Sequence, residues 1–372
     1  MASDVYFSDL RAGTRQNLLD KIKILLDKVD LQSKIKEKDL VAIKVHFGEK
    51  GNTSFIRPLY FRPIVERVKE LGGIPFLTDA NTLYVGTRSN SVSHLTTAIE
   101  NGFSFSTVGA PIIIADGLRG GSAREVAIDG NLFKSVAVGA DVVEADVLIS
   151  AAHFKGHELS GFGGAIKNVG MGAAARKGKL AQHSDLSPKV KTKKCIGCGD
   201  CIEHCAQQAI SMVEKKSVID EKKCVGCGEC ILVCPQGAIE IRWNGDPGTF
   251  QRKMVEYAKG TLKGKEKKSV FLNFLTQISP ACDCYGHCDA PIVSDIGILA
   301  SSDPVAIDYA SVDLVNRGTP LASSCIGDDC GPDKFRAIYP RIDWNVQLDY
   351  GQEIGLGEKE YNLVPLETPL KK

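Results

Sequence analysis

The chain has 372 residues, 43% hydrophobic and 24% charged, an ordinary globular composition with room for two or three domains. Its 46 basic and 45 acidic residues leave a net charge of +1, which gives no overall field for gripping nucleic acid or an anionic membrane. The opening MASDVYFSDLRAG lacks the basic and apolar regions of a signal peptide, and no apolar run approaches the ~20 residues of a membrane span. The expectation is a soluble, cytoplasmic protein with neither nucleic-acid nor membrane partners.

The first half alternates helix-like and strand-like stretches. Asn17–Val29 reads as an amphipathic helix and Leu40–His46 as a β-branched strand. Tyr60–Leu71 reads as a helix ended by Gly72 and Gly73, Ile74–Thr78 as a strand, and Ser91–Glu100 as a helix closed by Gly102. Apolar runs recur at Pro111–Ala115, Phe133–Val138 and Val147–Ala151. This alternation predicts an α/β fold with a mostly parallel sheet and flanking helices.

The composition shifts at the basic run Lys189–Lys194, where a cysteine-rich block begins. Beyond the NGDPG turn signal after Trp243, Gln251–Lys259 reads as helix, and Lys268–Ile278 and Ile296–Ala300 as strands. Asp303-Pro304 then has the form of an N-cap with proline at the first helical position, and Ala306–Val315 continues the helix. The α/β domain is thus expected in two parts, residues 1–190 and 246–372, interrupted by a small α+β domain over 191–245.

Thirteen cysteines is an odd number, and eight of them fall within 40 residues. In a long chain without an export signal this clustering favours metal or cluster ligation over disulfides. KKCIGCGDCIEHCAQQAIS from Lys193 is repeated as KKCVGCGECILVCPQGAIE from Lys222. Each copy holds C-x2-C-x2-C-x3-C, whereas zinc sites usually show two C-x2-C pairs separated by a longer loop. The segment Lys193–Ile241 resembles a bacterial two-cluster ferredoxin, departing from it at Ala206, where proline often follows the fourth cysteine. The resemblance implies two [4Fe–4S] clusters whose fourth ligands are exchanged. Cys195, Cys198, Cys201 and Cys234 would hold one; Cys224, Cys227, Cys230 and Cys205 would hold the other. Gly197, Gly199, Gly226 and Gly228 fit close approach of backbone N–H groups to cluster sulfurs.

Five cysteines remain. Cys282, Cys284 and Cys288 lie in SPACDCYGHCDAP, and Cys325 and Cys330 in SSCIGDDCGPD, both loop-like stretches. The first follows a strand, where α/β folds place ligands. The expectation for Cys282, Cys284 and Cys288 is a third metal or cluster site, or a redox-active dithiol; the bland alternative is ordinary reduced thiols.

Three further loops follow strand-like runs. One carries Lys44, His46, Glu49, Asn52 and Arg57; the next Asp79 and Asn81; the third His153, Lys155, His157, Lys167, Asn168, Arg176, Lys177, Lys179 and His183. In a parallel sheet such loops converge at one end, so a shared cleft with proton donors and cations for an anionic ligand is expected. His46, His153, His157 and Lys167 are the candidate catalytic residues. Gly170–Ala175 matches G-x-G-x-x-A but follows no clear strand, and Gly172–Lys179 misses the phosphate-loop spacing by one residue, so neither supports a nucleotide site.

KVHFGE, KNVGMG…RKGK…QHSD, and CDC with DIGILASSDPVAID together resemble the family numbered 362 in the domain-of-unknown-function series, in the branch with an inserted ferredoxin segment. The resemblance spans most of the chain and implies an iron–sulfur protein with an α/β catalytic or binding domain. The expected function is an iron–sulfur oxidoreductase passing electrons through the clusters to a cleft, toward a small-molecule substrate or a redox partner protein. The alternatives are an electron carrier or partner subunit without its own chemistry, and a binding protein with structural clusters.

Overall fold

A computed structural model describes residues 2–84, 86–183, 187–205, 207–224, 228–241 and 246–366. Cys227, Ala206 and Gly226, all singled out above, lie outside them.

In chain order the strands are β1 (Ser3–Asp9), β2 (Leu40–Lys44), β3 (Ile74–Asp79), β4 (Ile112–Ile114), β5 (Ala123–Ala127), β6 (Ser135–Gly139), β7 (Val147–His153), β8 (Lys155–His157) and β9 (Gly161–Gly163). They continue as β10 (Lys189–Val190), β11 (Ile210–Val213), β12 (Lys216–Ile219), β13 (Ile239–Glu240), β14 (Ser269–Leu275), β15 (Gly297–Ser301) and β16 (Tyr361–Pro365). Eight of them form the main sheet, in the order β16-β1-β15-β14-β7-β2-β3-β4. Only β15 runs against its neighbours; β14, β7, β2, β3 and β4 are mutually parallel. Strands from both sides of the cysteine block therefore build one sheet, as expected for a mostly parallel α/β fold.

The helices form for readable reasons. Leu18–Lys28 begins at Asn17, which closes a capping box with Asp20. Pro304–Arg317 begins at Asp303, whose carboxylate accepts from the Val305 and Ala306 amides. Alternation along the central strands sends side chains to two cores. Val147, Ile149 and Ala151 of β7 face one, beneath helices Leu18–Lys28 and Phe61–Glu70; Leu148 faces the other, beneath Pro247–Leu262 and Pro304–Arg317. Covering on both faces is why β7 and β14 are buried at every position.

Three details were not anticipated. Strands β1 and β16 add an edge that their sequences do not announce. The apolar run Phe133–Val138 joins a separate β5–β6 hairpin rather than the main sheet. Finally, β8 and β9 form a small hairpin directly after β7.

In the cysteine block, β10 pairs with β13 and β11 with β12, both antiparallel. The short helices Asp200–Glu203 and Glu229–Val233 each start after a glycine with positive φ, Gly199 at 91° and Gly228 at 73°. The internal repeat of the sequence is thus repeated in backbone conformation.

Candidate functional site

The C-terminal ends of β2, β3, β7 and β14 open onto one cavity of about 390 Å³. Each of those strands contributes through its last residue or the segment that follows it, as the parallel arrangement predicts. Lys44 ends β2 and His46 follows it, Asp79 ends β3, Lys155, His157, Lys167, Asn168, Lys179 and His183 come from the hairpin and helices after β7, and Cys282 and Cys284 from the loop after β14.

The dithiol is the chemical centre of this cavity. The sulfurs of Cys282 and Cys284 stand 2.9 Å apart, and the Cys284 amide donates to Cys282 Sγ at 3.4 Å. His46 Nδ1 accepts from the Gly48 amide at 3.0 Å, which leaves the proton of the neutral ring on Nε2, 3.4 Å from Cys284 Sγ. Burial and the nearby Arg88 keep His46 below its ordinary pKa, consistent with a neutral ring. Lys167 Nζ reaches Cys282 Sγ at 3.5 Å. The Cys282 hydrogen bond, with support from His46 and Lys167, outweighs burial and holds the Cys284 thiol well below its usual range. The partner thiol of Cys282 is pushed up by the same hydrogen bond and by burial. The pair therefore shares a single proton, and its negative charge is held between Cys284, facing His46, and Cys282, facing Lys167.

Asp283, between the two cysteines, points away from the cavity into a buried anchor. His153 Nδ1 contacts Asp283 Oδ1 at 2.8 Å, Lys155 Nζ lies 3.3 Å from Oδ2, and His153 Nε2 contacts the Thr276 carbonyl at 2.9 Å. Burial raises the Asp283 pKa, but His153 and Lys155 outweigh it and keep the carboxylate charged. His153 does not line the cavity; it fixes the loop that carries the thiols. The loop after β2 is tied to the same loop, since Asn52 Nδ2 donates to the Tyr285 and His287 carbonyls, both at 3.1 Å.

On the opposite wall Lys44 pairs with Asp79 at 2.9 Å, and Arg88 with Asp79 and Glu49, each at 3.3 Å. Arg88 also donates to Tyr84 Oη at 2.7 Å, and Tyr84 Oη donates to the Cys284 carbonyl at 3.0 Å. Burial opposes the charge on Asp79, and Lys44 and His94 overcome it. Arg88, Tyr84 and the apolar wall residue Phe250 were missed in the sequence; only Tyr84 lay near a loop already marked.

The remaining expected residues divide plainly. His157 and His183 stack on Phe250, with centroids 6.0 and 5.0 Å away. Arg176 turns from the cavity to Glu229 at 2.7 Å, Lys177 pairs with Glu125, Arg57 is exposed, and Asn81 holds Asp116 at 2.8 Å. Cys288 Sγ contacts Thr53 Oγ1 at 3.1 Å and is not part of the cavity wall. Cys325 is exposed and Cys330 contacts the Gly331 carbonyl. Among the described residues, no three His, Cys, Asp or Glu side chains are arranged to hold a metal ion. The G-x-G-x-x-A stretch begins at the end of helix Ala165–Gly170. A Cβ on Gly172 would collide with the Asn168 carbonyl and stand 2.6 Å from Lys44 Nζ, so this glycine serves close packing.

In the cysteine block, Cys205, Cys224 and Cys230 line one small cavity. The amides of Ala209 and Ala238 donate to Cys205 Sγ at 3.3 Å and Cys234 Sγ at 3.2 Å, equivalent contacts in the two repeats. The Ser217 amide donates to Cys195 Sγ at 3.5 Å and its hydroxyl contacts Cys201 Sγ at 3.2 Å. Burial raises the Cys201 pKa; Ser217 opposes that, while Cys198 and Cys234 act close enough to push it further. This block packs onto the α/β part through Leu83, which joins the apolar cluster around Cys201 and Cys230 and also lines the dithiol cavity.

No curated protein matches the chain. Among solved structures it is similar to the lactate racemase apoprotein from Thermoanaerobacterium thermosaccharolyticum, at 15% identity and a TM-score of 0.41. That likeness covers 82% of this chain and 57% of the racemase chain, so the protein spans little more than half of that structure's length. A family model described as domain of unknown function (DUF362) matches residues 41–313, from β2 through the cysteine block and the CDC loop. The chain belongs to the DUF362 family.

Proposed function

We propose that this chain is an iron–sulfur redox protein, in which a domain over 191–245 binds two [4Fe–4S] clusters and electrons move between them and the Cys282–Cys284 dithiol. The observation that carries the reading is the seat of the second cysteine motif. Gly228 and Glu229, flanked by the expected ligands Cys227 and Cys230, rest on Leu83 and Arg176, and Leu83 is also a wall of the dithiol cavity.

The donor set fits the clusters. Eight soft thiols in two C-x2-C-x2-C-x3-C motifs, with backbone amides directed at Cys195, Cys205 and Cys234, are what cubane ligation uses. The shared cavity of Cys205, Cys224 and Cys230 and the electrostatic reach of Cys234 to Cys201 favour the exchanged ligand sets. When bound, the clusters supply one-electron steps.

The residues of the cavity would manage the two-electron end. Reduction of a Cys282–Cys284 disulfide to this singly protonated pair consumes two electrons and one proton and breaks one S–S bond. The negative charge left behind lies between Lys167, which faces Cys282, and the proton that His46 Nε2 already directs at Cys284. Asp283, held by His153 and Lys155, keeps both sulfurs directed into the cavity. The geometry favours this dithiol over a three-cysteine metal site, because Cys288 is engaged by Thr53. Exposed Cys198 and Ile196 mark the far end of the block as the docking point for a redox partner protein.

Iron analysis and electron paramagnetic resonance of anaerobically purified protein test the reading. The expected result is about eight irons per chain and a dithionite-reducible signal from two clusters. Zinc in place of iron, or clusters that no reductant reaches, would overturn it.

A further inference from the structure

The cations lining the dithiol cavity fall into two groups. Lys44, Arg88 and Lys155 are each paired with a buried carboxylate: Asp79 at 2.9 Å and 3.3 Å for the first two, Asp283 at 3.3 Å for the third. Lys167 and Lys179 are equally enclosed, at 9% and 7% exposed. Among the described residues neither makes an ion pair with a carboxylate. Lys167 Nζ meets Cys282 Sγ, and Lys179 Nζ meets only the carbonyls of Gly172 and Ala174. Lys167 has only the negative charge of the dithiol beside it, and Lys179 has only the more distant Asp116 and Asp79, so among the described residues neither ammonium has a carboxylate in contact and an anion from outside the chain completes the pairing.

We infer that this cavity binds a small organic anion, its carboxylate or phosphate group held between Lys167 and Lys179 and its apolar body lying along Phe250 beside the dithiol. The site deepens the proposed function by naming the substrate class of the same cavity.

Three further observations agree with this placement. His183 stacks on Phe250 with centroids 5.0 Å apart. Its pKa is depressed chiefly by burial and next by Lys167, with Lys179 also contributing, so both ammonium groups act on one side chain at the base of the aromatic wall. Burial lowers Lys179 to about 8, offset only in part by Asp116 and Asp79. Leu83, Tyr84 and Met171 add apolar surface between the charged groups of the wall, so that an apolar body can lie beside them. The volume of about 390 Å³ suits a small metabolite rather than a dinucleotide.

Isothermal titration of the full cluster-containing chain with benzoate and, separately, inorganic phosphate tests this. The expected result is saturable binding of at least one probe, one per chain; binding of benzoate alone assigns a carboxylate site and of phosphate alone a phosphate site. Lys167→Met and Lys179→Met should each weaken binding by about tenfold or more. Lys179→Arg keeps the charge and should retain most of the affinity, which separates loss of charge from loss of fold. Absence of saturable binding in the wild-type chain, or undiminished binding in folded Lys167→Met/Lys179→Met protein, would overturn the inference. The visible cluster absorbance recorded on the same samples reports separately on the iron–sulfur reading, since the heat of anion binding and the cluster signal are independent readouts.

Discussion

His46 Nε2 lies 3.4 Å from Cys284 Sγ, with its proton directed there because the Gly48 amide occupies Nδ1. The Cys284 thiolate therefore depends on a neutral imidazole as well as on Cys282. Alkylation rates followed against pH should show Cys284 reacting rapidly well below the ordinary thiol range of about 8.5. His46→Ala should move that profile upward, and Cys282→Ala, which removes the donor altogether, should move it further, since the Cys282 contact is the larger cause. A Cys284 profile that ignores both changes would contradict the assignment.

The docking of the cysteine block makes a paired prediction. Gly199 and Gly228 occupy equivalent positions with positive φ, but an added Cβ meets nothing within 4 Å at Gly199 and stands 2.8 Å from Leu83 Cδ1 at Gly228. Gly199→Ala should cost about 1–2 kcal/mol of backbone strain. Gly228→Ala should cost more, because it also presses on the wall shared with the cavity. Thermal unfolding of the two variants measures the difference.

Arg176 ties the same junction from the α/β side, through Glu229 at 2.7 Å and the carbonyls of Thr82 and Ser89. Arg176→Met removes the charge and leaves Glu229 with Arg119 at 3.4 Å as its neighbour. A loss of about 1–3 kcal/mol is expected, with faster proteolysis within 191–245 than elsewhere.

Stability should fall as pH drops below about 6.5. Burial holds His94 to about 4 and His183 to about 3, against about 6.5 in the unfolded chain. Between those values the unfolded state binds more protons, so stability is full above the unfolded pKa and is lost toward acid. Asp79 and Asp283, held below their ordinary values by Lys44 and His153 against the cost of burial, extend the loss below about pH 4. His94→Gln should flatten the slope between pH 6.5 and 4 in thermal melts, and an unchanged slope would contradict this account.

Much of the cavity was legible because a parallel sheet sends successive loops to one end. Lys44, Asp79, His157, Lys167 and Cys284 were recognisable as polar residues after apolar runs, and all of them line it. What the pattern does not carry is side-chain direction. His153 ends β7 within the same polar stretch, yet its ring turns beneath the sheet end to Asp283, and Arg176 turns to the cysteine block. Cys288 shares a short loop with the dithiol but faces Thr53. Arg88 escaped notice because its partners Asp79, Glu49 and Tyr84 converge only in three dimensions. The edge strands β1 and β16 were missed for a different reason: their half-exposed residues lack the continuous apolar run of β7 and β14.

Electrons from the cysteine block are proposed to reach Cys282 and Cys284. Protein oxidised at the dithiol, given two equivalents of the one-electron donor reduced methyl viologen and then alkylated for mass spectrometry, tests it directly. Cys282 and Cys284 should become alkylated in the cluster-loaded chain and stay disulfide-linked in a Cys230→Ser variant. A pair that stays oxidised in the loaded chain, or is reduced equally fast in the variant, would contradict it.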